Sequence, residues 1–192
     1  MLSLPDIALL FARFGANQYS GEPVTQLEHA LQTAHLAEQS GADDALVTAC
    51  LLHDLGHLLN DHGRGVDDSP TLRGIDDTHQ HFAVPFLRGL FPAAVLDAIQ
   101  LHVDAKRYLC QANPGYFARL SDDSKRSLAL QGGVFGAGQA GAFLAQAGAV
   151  DAVRLRQWDD LAKQADFATP PLAHFLDRAA RCALPEPRPL GA

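Results

Sequence analysis

The stretch Thr48-Ala49-Cys50-Leu51-Leu52-His53-Asp54-Leu55-Gly56-His57-Leu58-Leu59 constrains this chain more than any other. Its apolar residues recur at helical spacing, as in a helix pressed into a core. It also carries two histidines and an aspartate, groups that cost free energy to bury unless something binds them. A metal ion is the usual solution, and imidazole with carboxylate suits iron, zinc or manganese. Adjacent on a helix, His53 and Asp54 would project about 100° apart and grip one site from two directions. His57 lies one turn beyond His53, on the same face. A single buried histidine is commonly satisfied by a backbone carbonyl; a His-Asp pair in so apolar a helix is poorly explained that way.

The chain has 192 residues, 47% of them hydrophobic, enough for one domain with a real core. A net charge of −7 argues against a nucleic-acid surface, yet leaves room for a small anion in a local basic pocket. Cys50, Cys110 and Cys182 are scattered and form no CxxC pair, which points to a reducing cytoplasm. The start, MLSLPDIALLFARFG, is interrupted by Asp6 and Arg13 and reads as an amphipathic helix rather than a signal peptide. No apolar run reaches the roughly 18–20 residues of a membrane span, so a soluble protein without membrane partners is expected.

Nearly every segment has the helical period, which predicts an all-α, single-domain bundle over 1–192 with a flexible tail from about 184. Thr25-Gln26-Leu27-Glu28 has the form of a capping box opening a helix to about Ser40, with His29 in its first turn. Asp43 or Asp44 should cap the helix carrying the central stretch. Residues 60–77 form a polar, acid-rich loop of a length typical of a lid or site wall. Thr78 is expected to cap a helix holding His79 and His81 and ending near Leu90; Pro92 starts another through Ile99, His102 and Lys106. Ser121 should cap a helix with Ser124, Ser127 and Gln131. Gly136 to Gly141 formally fits GxGxxG, but no strand precedes it, and a helix-to-helix turn is the better account. Two more helices are expected, at about Ala149–Lys163 and Leu172–Cys182.

His29, His53, Asp54, His79, His102 and Asp159 share one character: each is a potential ligand with apolar neighbours at core spacing. Inward-facing side chains of a helical bundle can meet at one metal centre. Six nitrogen and oxygen ligands exceed what a structural zinc takes, and suit two octahedral metals sharing a bridge.

In order, His29, His53-Asp54 and Asp159 resemble the H…HD…D signature of the HD-domain superfamily. That all-helical group contains metal-dependent phosphohydrolases and a smaller set of di-iron oxygenases. Tyr19-x-x-Glu22, His79 ahead of His102, the run Val103–Cys110, Ser121 with Ser124 and Ser127, Gln131-Gly132-Gly133 and the run Leu155–Lys163 look like the HD-domain oxygenases that cleave carbon–phosphorus bonds (the PhnZ and TmpB type), distant relatives of myo-inositol oxygenase.

The resemblance implies that His29, His53, Asp54 and Asp159 hold one iron and His79 and His102 the other, Asp54 bridging. The family's spacing favours His79 over His81 and Asp159 over Asp160. A mixed-valent Fe(II)/Fe(III) pair would use O2 as co-substrate, abstract the hydrogen on C1 of a small 1-hydroxyphosphonate, and release phosphate and a carboxylic acid. Lys106, one turn beyond His102, can reach such an anion, as can Ser124 and Ser127 near a helix start, Gln131 and His57. Tyr19 would act as a lid ligand occupying the second iron until substrate arrives, and Glu22 would face a cationic tail. Asp54, His57, Lys106 and Tyr19 are thus the expected catalytic set. The acid-rich run 63–77 departs from the relatives' pattern and suits the quaternary ammonium of 1-hydroxy-2-(trimethylammonio)ethylphosphonate. The primary amine of 2-amino-1-hydroxyethylphosphonate is equally compatible with Glu22. The rival enzyme is an HD-type phosphohydrolase acting on a nucleotide or other phosphate ester through a metal-activated hydroxide. A zincin-like site is disfavoured because Asp54 stands where that motif needs glutamate.

Overall fold

The structure, a computed structural model, describes residues 1–19, 21–60, 70–76 and 78–185. Their regular structure is helical; the only bridges among them are isolated ones, Gln18 with Thr25 and Arg88 with Phe91. Helix starts follow local chemistry. In α1 (Leu4–Phe14) Ser3 and Asp6 form a capping box, and in α2 (Gln26–Gln39) Thr25 and Glu28 form another. The Asp43 carboxylate accepts the Leu46 amide at the start of α3 (Asp44–Leu52). The Ser121 hydroxyl does the same for the Ser124 amide at α9 (Asp122–Leu130).

Helix α3 is buried from Leu46 to Leu52, apolar on every side, and forms the centre of the core. Around it lie α2, the 20-residue α7 (Ala93–Ala112), α11 (Ala149–Leu161) and α12 (Leu172–Cys182), whose Phe175 and Ala179 are fully buried. Helix α11 packs along α7 and also touches α2, so three chain-distant helices converge on the C-terminal end of α3. The short helices α4 (Leu55–Asn60), α5 (His79–Phe82) and α6 (Val84–Leu87) wrap that end. Helices α8 (Tyr116–Arg119) and α10 (Ala137–Leu144) build two smaller apolar clusters, around Tyr116 with Leu128 and around Phe135 with Phe143.

Three expectations need correction. The central stretch is not one helix: α3 stops at Leu52, His53 and Asp54 occupy a turn, and α4 resumes at Leu55. On an unbroken helix the two side chains would diverge by about 100°; the turn brings His53 Nε2 within 3.3 Å of Asp54 Oδ2. Gly56, a poor helix former, follows directly, and its missing Cβ admits α5: a Cβ there would lie 2.2 Å from the His79 carbonyl oxygen. The helix expected from Thr78 to about Leu90 is likewise divided into α5 and α6, with Pro85 at the start of the second. Thr78 itself has φ 48° and makes no side-chain cap. The glycine-rich run is largely helix, since Gly136 opens α10 and the turn lies earlier, at Gly132 and Gly133, both with positive φ. Most of the proposed site wall, 61–69 and 77, and the tail beyond 185 lie outside the described residues.

Candidate metal centre and anion pocket

The site is assembled at the α3–α4 turn. His29 comes from the first turn of α2, His79 from α5, His102 from α7 and Asp159 from α11; these four, with His53 and Asp54, are buried. Backbone carbonyls fix the rings. His29 Nδ1 donates to Ala162 O at 2.8 Å, His53 Nδ1 to Cys50 O at 2.8 Å and His102 Nδ1 to Ile99 O at 2.7 Å. A carbonyl only accepts, so Nδ1 of each of these three rings carries a proton and Nε2 is the atom turned into the site.

The Nε2 atoms face one another in two couples: His29 with His53 at 3.2 Å, and His79 with His102 at 3.1 Å. Asp54 stands between the couples and divides its oxygens. Its Oδ2 is 3.6 Å from His29 Nε2 and 3.3 Å from His53 Nε2, while Oδ1 is 3.2 Å from His79 Nε2 and 3.7 Å from His102 Nε2. Asp159 joins the first couple, with Oδ1 3.4 Å from His29 Nε2, and this oxygen, fully buried, has no hydrogen-bond partner. Imidazole Nε2 atoms facing one another beside a carboxylate oxygen with no hydrogen-bond partner fit a cation better than hydrogen bonds among themselves. The same carboxylate addressing two imidazole couples fits two cations with one bridge. His57 Nε2 lies 3.8 Å from Asp54 Oδ1 and its ring stacks on His79 at 4.1 Å, near enough to serve the second position as well as an incoming anion.

The electrostatics follow from burial in a crowd of charges. Burial works to raise the Asp54 carboxyl, but the His53 and His57 imidazoles hold it well below the usual carboxylate range. Burial likewise opposes ionisation of Asp159, and the Arg156 guanidinium overrides it. Burial, with His79 and His53 beside it, pushes His102 well below the ordinary imidazole value and keeps it neutral, as a ligand must be.

A pocket opens from the second couple toward solvent, lined by Tyr19, Lys106, Ser124, Ser127, Gln131 and Lys163 among others. The Tyr19 hydroxyl donates to Asp54 Oδ2 at 2.8 Å, and its ring stacks on His29 at 4.0 Å between centroids, which sets it over the His29–His53 couple. Lys106 is buried and donates to Ser127 Oγ at 2.7 Å. Burial, together with the Arg156 charge, brings its ammonium down to about 7. Gln131 caps α9 from within the pocket and its Oε1 has no hydrogen-bond partner. Glu22, expected to meet a substrate cation, lies 3.2 Å from Lys163 Nζ.

The six expected ligands therefore come together, and the expected anion-binding residues share one pocket. His81 is exposed, and Asp160 is turned away onto Arg156 and Tyr116. Arg156 and Lys163, of which the sequence carried no expectation, also line this pocket. Arg156 stands one turn before Asp159 on α11, Lys163 lies just past the end of that helix, and both fall in the run Leu155–Lys163 that resembles the oxygenases.

The HD domain family matches residues 27–130, a span that contains every expected ligand except Asp159. Over 167 residues the chain is 39% identical to the 1-hydroxy-2-(trimethylamino)ethylphosphonate dioxygenase (glycine-betaine-forming) of Leisingera caerulea, covering 86% of this chain and 83% of that protein. It is 42% identical over 161 residues to the hydroxymethylphosphonate dioxygenase of Gimesia maris, covering 84% and 79%. An uncharacterized protein of Acanthamoeba polyphaga mimivirus is 32% identical over 168 residues, covering 86% and 75%.

Proposed function

The chain belongs to the HD domain family, and from that premise we propose that it is an O2-dependent, di-iron oxygenase that cleaves the C–P bond of a small 1-hydroxyphosphonate. The tail is an amino or trimethylammonio group, and the products are phosphate with glycine or glycine betaine. Two relatives named as phosphonate dioxygenases support the oxygenase over the phosphohydrolase. The observation that carries the reading is Asp54, whose two oxygens address separate imidazole couples 3.2–3.7 Å away.

The donor set fits a redox-active metal pair, which when bound supplies the activation of O2. His29, His53, Asp54 and Asp159 would hold one ion and His79 with His102 the other. The remaining chemistry belongs to side chains. Lys106, Ser124 and Ser127 present donors to a phosphonate from one side of the pocket, and charge-assisted hydrogen bonds are the strong ones. A bound dianion favours the charged form of Lys106, whose ammonium near pH 7 is otherwise poised to lose its proton. Tyr19 keeps the unliganded site covered. Burial, reinforced by the Asp54 and Asp159 carboxylates, raises its phenol well above the ordinary value, so it remains a neutral hydrogen-bond donor that substrate can displace. Breaking the Glu22–Lys163 pair at the pocket edge would give the zwitterion a partner for each of its charges. Among the described residues no helix is long and apolar enough to cross a membrane, and the reading places the enzyme in the cytoplasm.

The test is aerobic incubation of iron-loaded protein with the trimethylammonio, 2-amino and unsubstituted hydroxymethyl phosphonates, measuring phosphate and the organic acid. Phosphate from one of the first two is expected; release from neither of those two would contradict the proposal. Asp54→Ala is expected to lose both irons and all turnover, and full iron content in that variant would contradict the bridging role.

A further inference from the structure

Arg156 lies buried on α11 between two aspartates of its own helix, and its guanidinium is divided among three partners. NH1 is 2.8 Å from Asp159 Oδ2, NH2 donates to Asp160 Oδ1, and Nε donates to the Tyr116 hydroxyl at 3.3 Å. That hydroxyl in turn donates to Asp160 Oδ2. A guanidinium beside a carboxylate ordinarily takes both oxygens in a parallel fork. Here the fork is split, and Asp159 Oδ1 is left without a hydrogen-bond partner although fully buried. An ion pair serving only to hold α11 in place would satisfy both oxygens, because an orphaned buried acceptor costs stability.

We propose that Tyr116 and Asp160 are positioning residues that draw Arg156 off Asp159 Oδ1 and so reserve that oxygen for a metal ion. The inference rests on the metal-centre reading above. The two residues act from behind the centre. Arg156 and Asp159 line the anion pocket, whereas Tyr116 and Asp160 line a separate cavity with Leu109, Asn113 and Leu120. Without Asp160, the NH2 group has no carboxylate of its own. A modest turn of the guanidinium then places it on Asp159 Oδ1, in competition with the metal. Tyr116 supports this indirectly, by accepting from Nε and holding Asp160 in place.

The experiment is an anaerobic titration of metal-free protein with Fe(II) against a competing chelator, with thermal denaturation of each metal-free variant alongside. Asp160→Ala is expected to weaken one of two Fe(II) sites by about 10- to 100-fold, the range typical of residues that orient metal ligands, and Tyr116→Phe by less. Arg156→Lys combined with Asp160→Ala should recover most of the lost affinity, because an ammonium cannot fork across both oxygens. A merely structural role predicts no such rescue. Affinity equal to wild type in Asp160→Ala, or an undiminished loss in the double variant, overturns the inference. Absence of Fe(II) binding by the wild type is a different result and overturns the metal-centre reading itself.

Discussion

Lys106 shows how much a single residue's meaning depends on its surroundings. In sequence it is a cation on a helix, ordinarily solvated. In the structure it is buried beside Arg156, and its ammonium falls to about 7. Its charge is present below that value and lost as pH rises through it. Apparent KM for a phosphonate is therefore expected to rise between about pH 6 and 9 in the wild type. Lys106→Ala should raise KM by about 10- to 100-fold, as loss of one charge-assisted hydrogen bond implies, with a smaller effect on kcat and a flattened pH slope. An unchanged KM would remove Lys106 from substrate binding. The six candidate ligands were legible because His and Asp at core spacing have few bland explanations. Arg156 and Lys163 were not, since the burial of Arg156 depends on how α11 packs against α7, and Lys163 reaches the pocket from just past the end of α11.

At the scale of elements, periodicity gave helix types and caps, and it failed where function breaks the period. The apolar run from Leu46 to Leu59 reads as continuous, yet the site requires the turn at His53 and Asp54, which no hydrophobic pattern encodes. Gly56 is the local signal that could have revealed it. Gly56→Ala would force α4 off the His79 carbonyl, which lies 2.2 Å from the added Cβ. The expected cost is about 1–3 kcal/mol of stability, with weakened binding at the His79–His102 position, read by denaturant melts and metal content. Wild-type values for both would show that α5 is not anchored there. A second element-level contact is the clamp of α12 on α3: Arg178 and Arg181 donate to Asp44 at 2.6 and 2.7 Å. The hydrogen bond from Arg181 in particular lowers Asp44 from 3.8 to about 2. A carboxyl depressed on folding stabilises above its unfolded pKa and loses that contribution as pH falls through the folded one. Between about pH 4 and 2 the wild-type Tm should thus fall more steeply than that of Asp44→Ala. Parallel curves would assign the acid sensitivity elsewhere.

For the molecule as a whole, a net charge of −7 coexists with a pocket that gathers Lys106, Lys163 and Arg156 close to the candidate ligands. Overall charge therefore says little about what this site attracts; local cations and the metals they accompany decide it. The all-α bundle explains how residues 130 positions apart can cooperate: His29 and Asp159 meet because α2 and α11 pack together against α3. The central claim is that this assembly spends O2 to break a C–P bond rather than water to break an ester. Phosphate release and O2 consumption, followed together in iron-loaded protein given 1-hydroxy-2-(trimethylammonio)ethylphosphonate, test it most directly. The account predicts one O2 consumed per phosphate and no phosphate under anaerobic conditions; phosphate released at the same rate without O2 would contradict it.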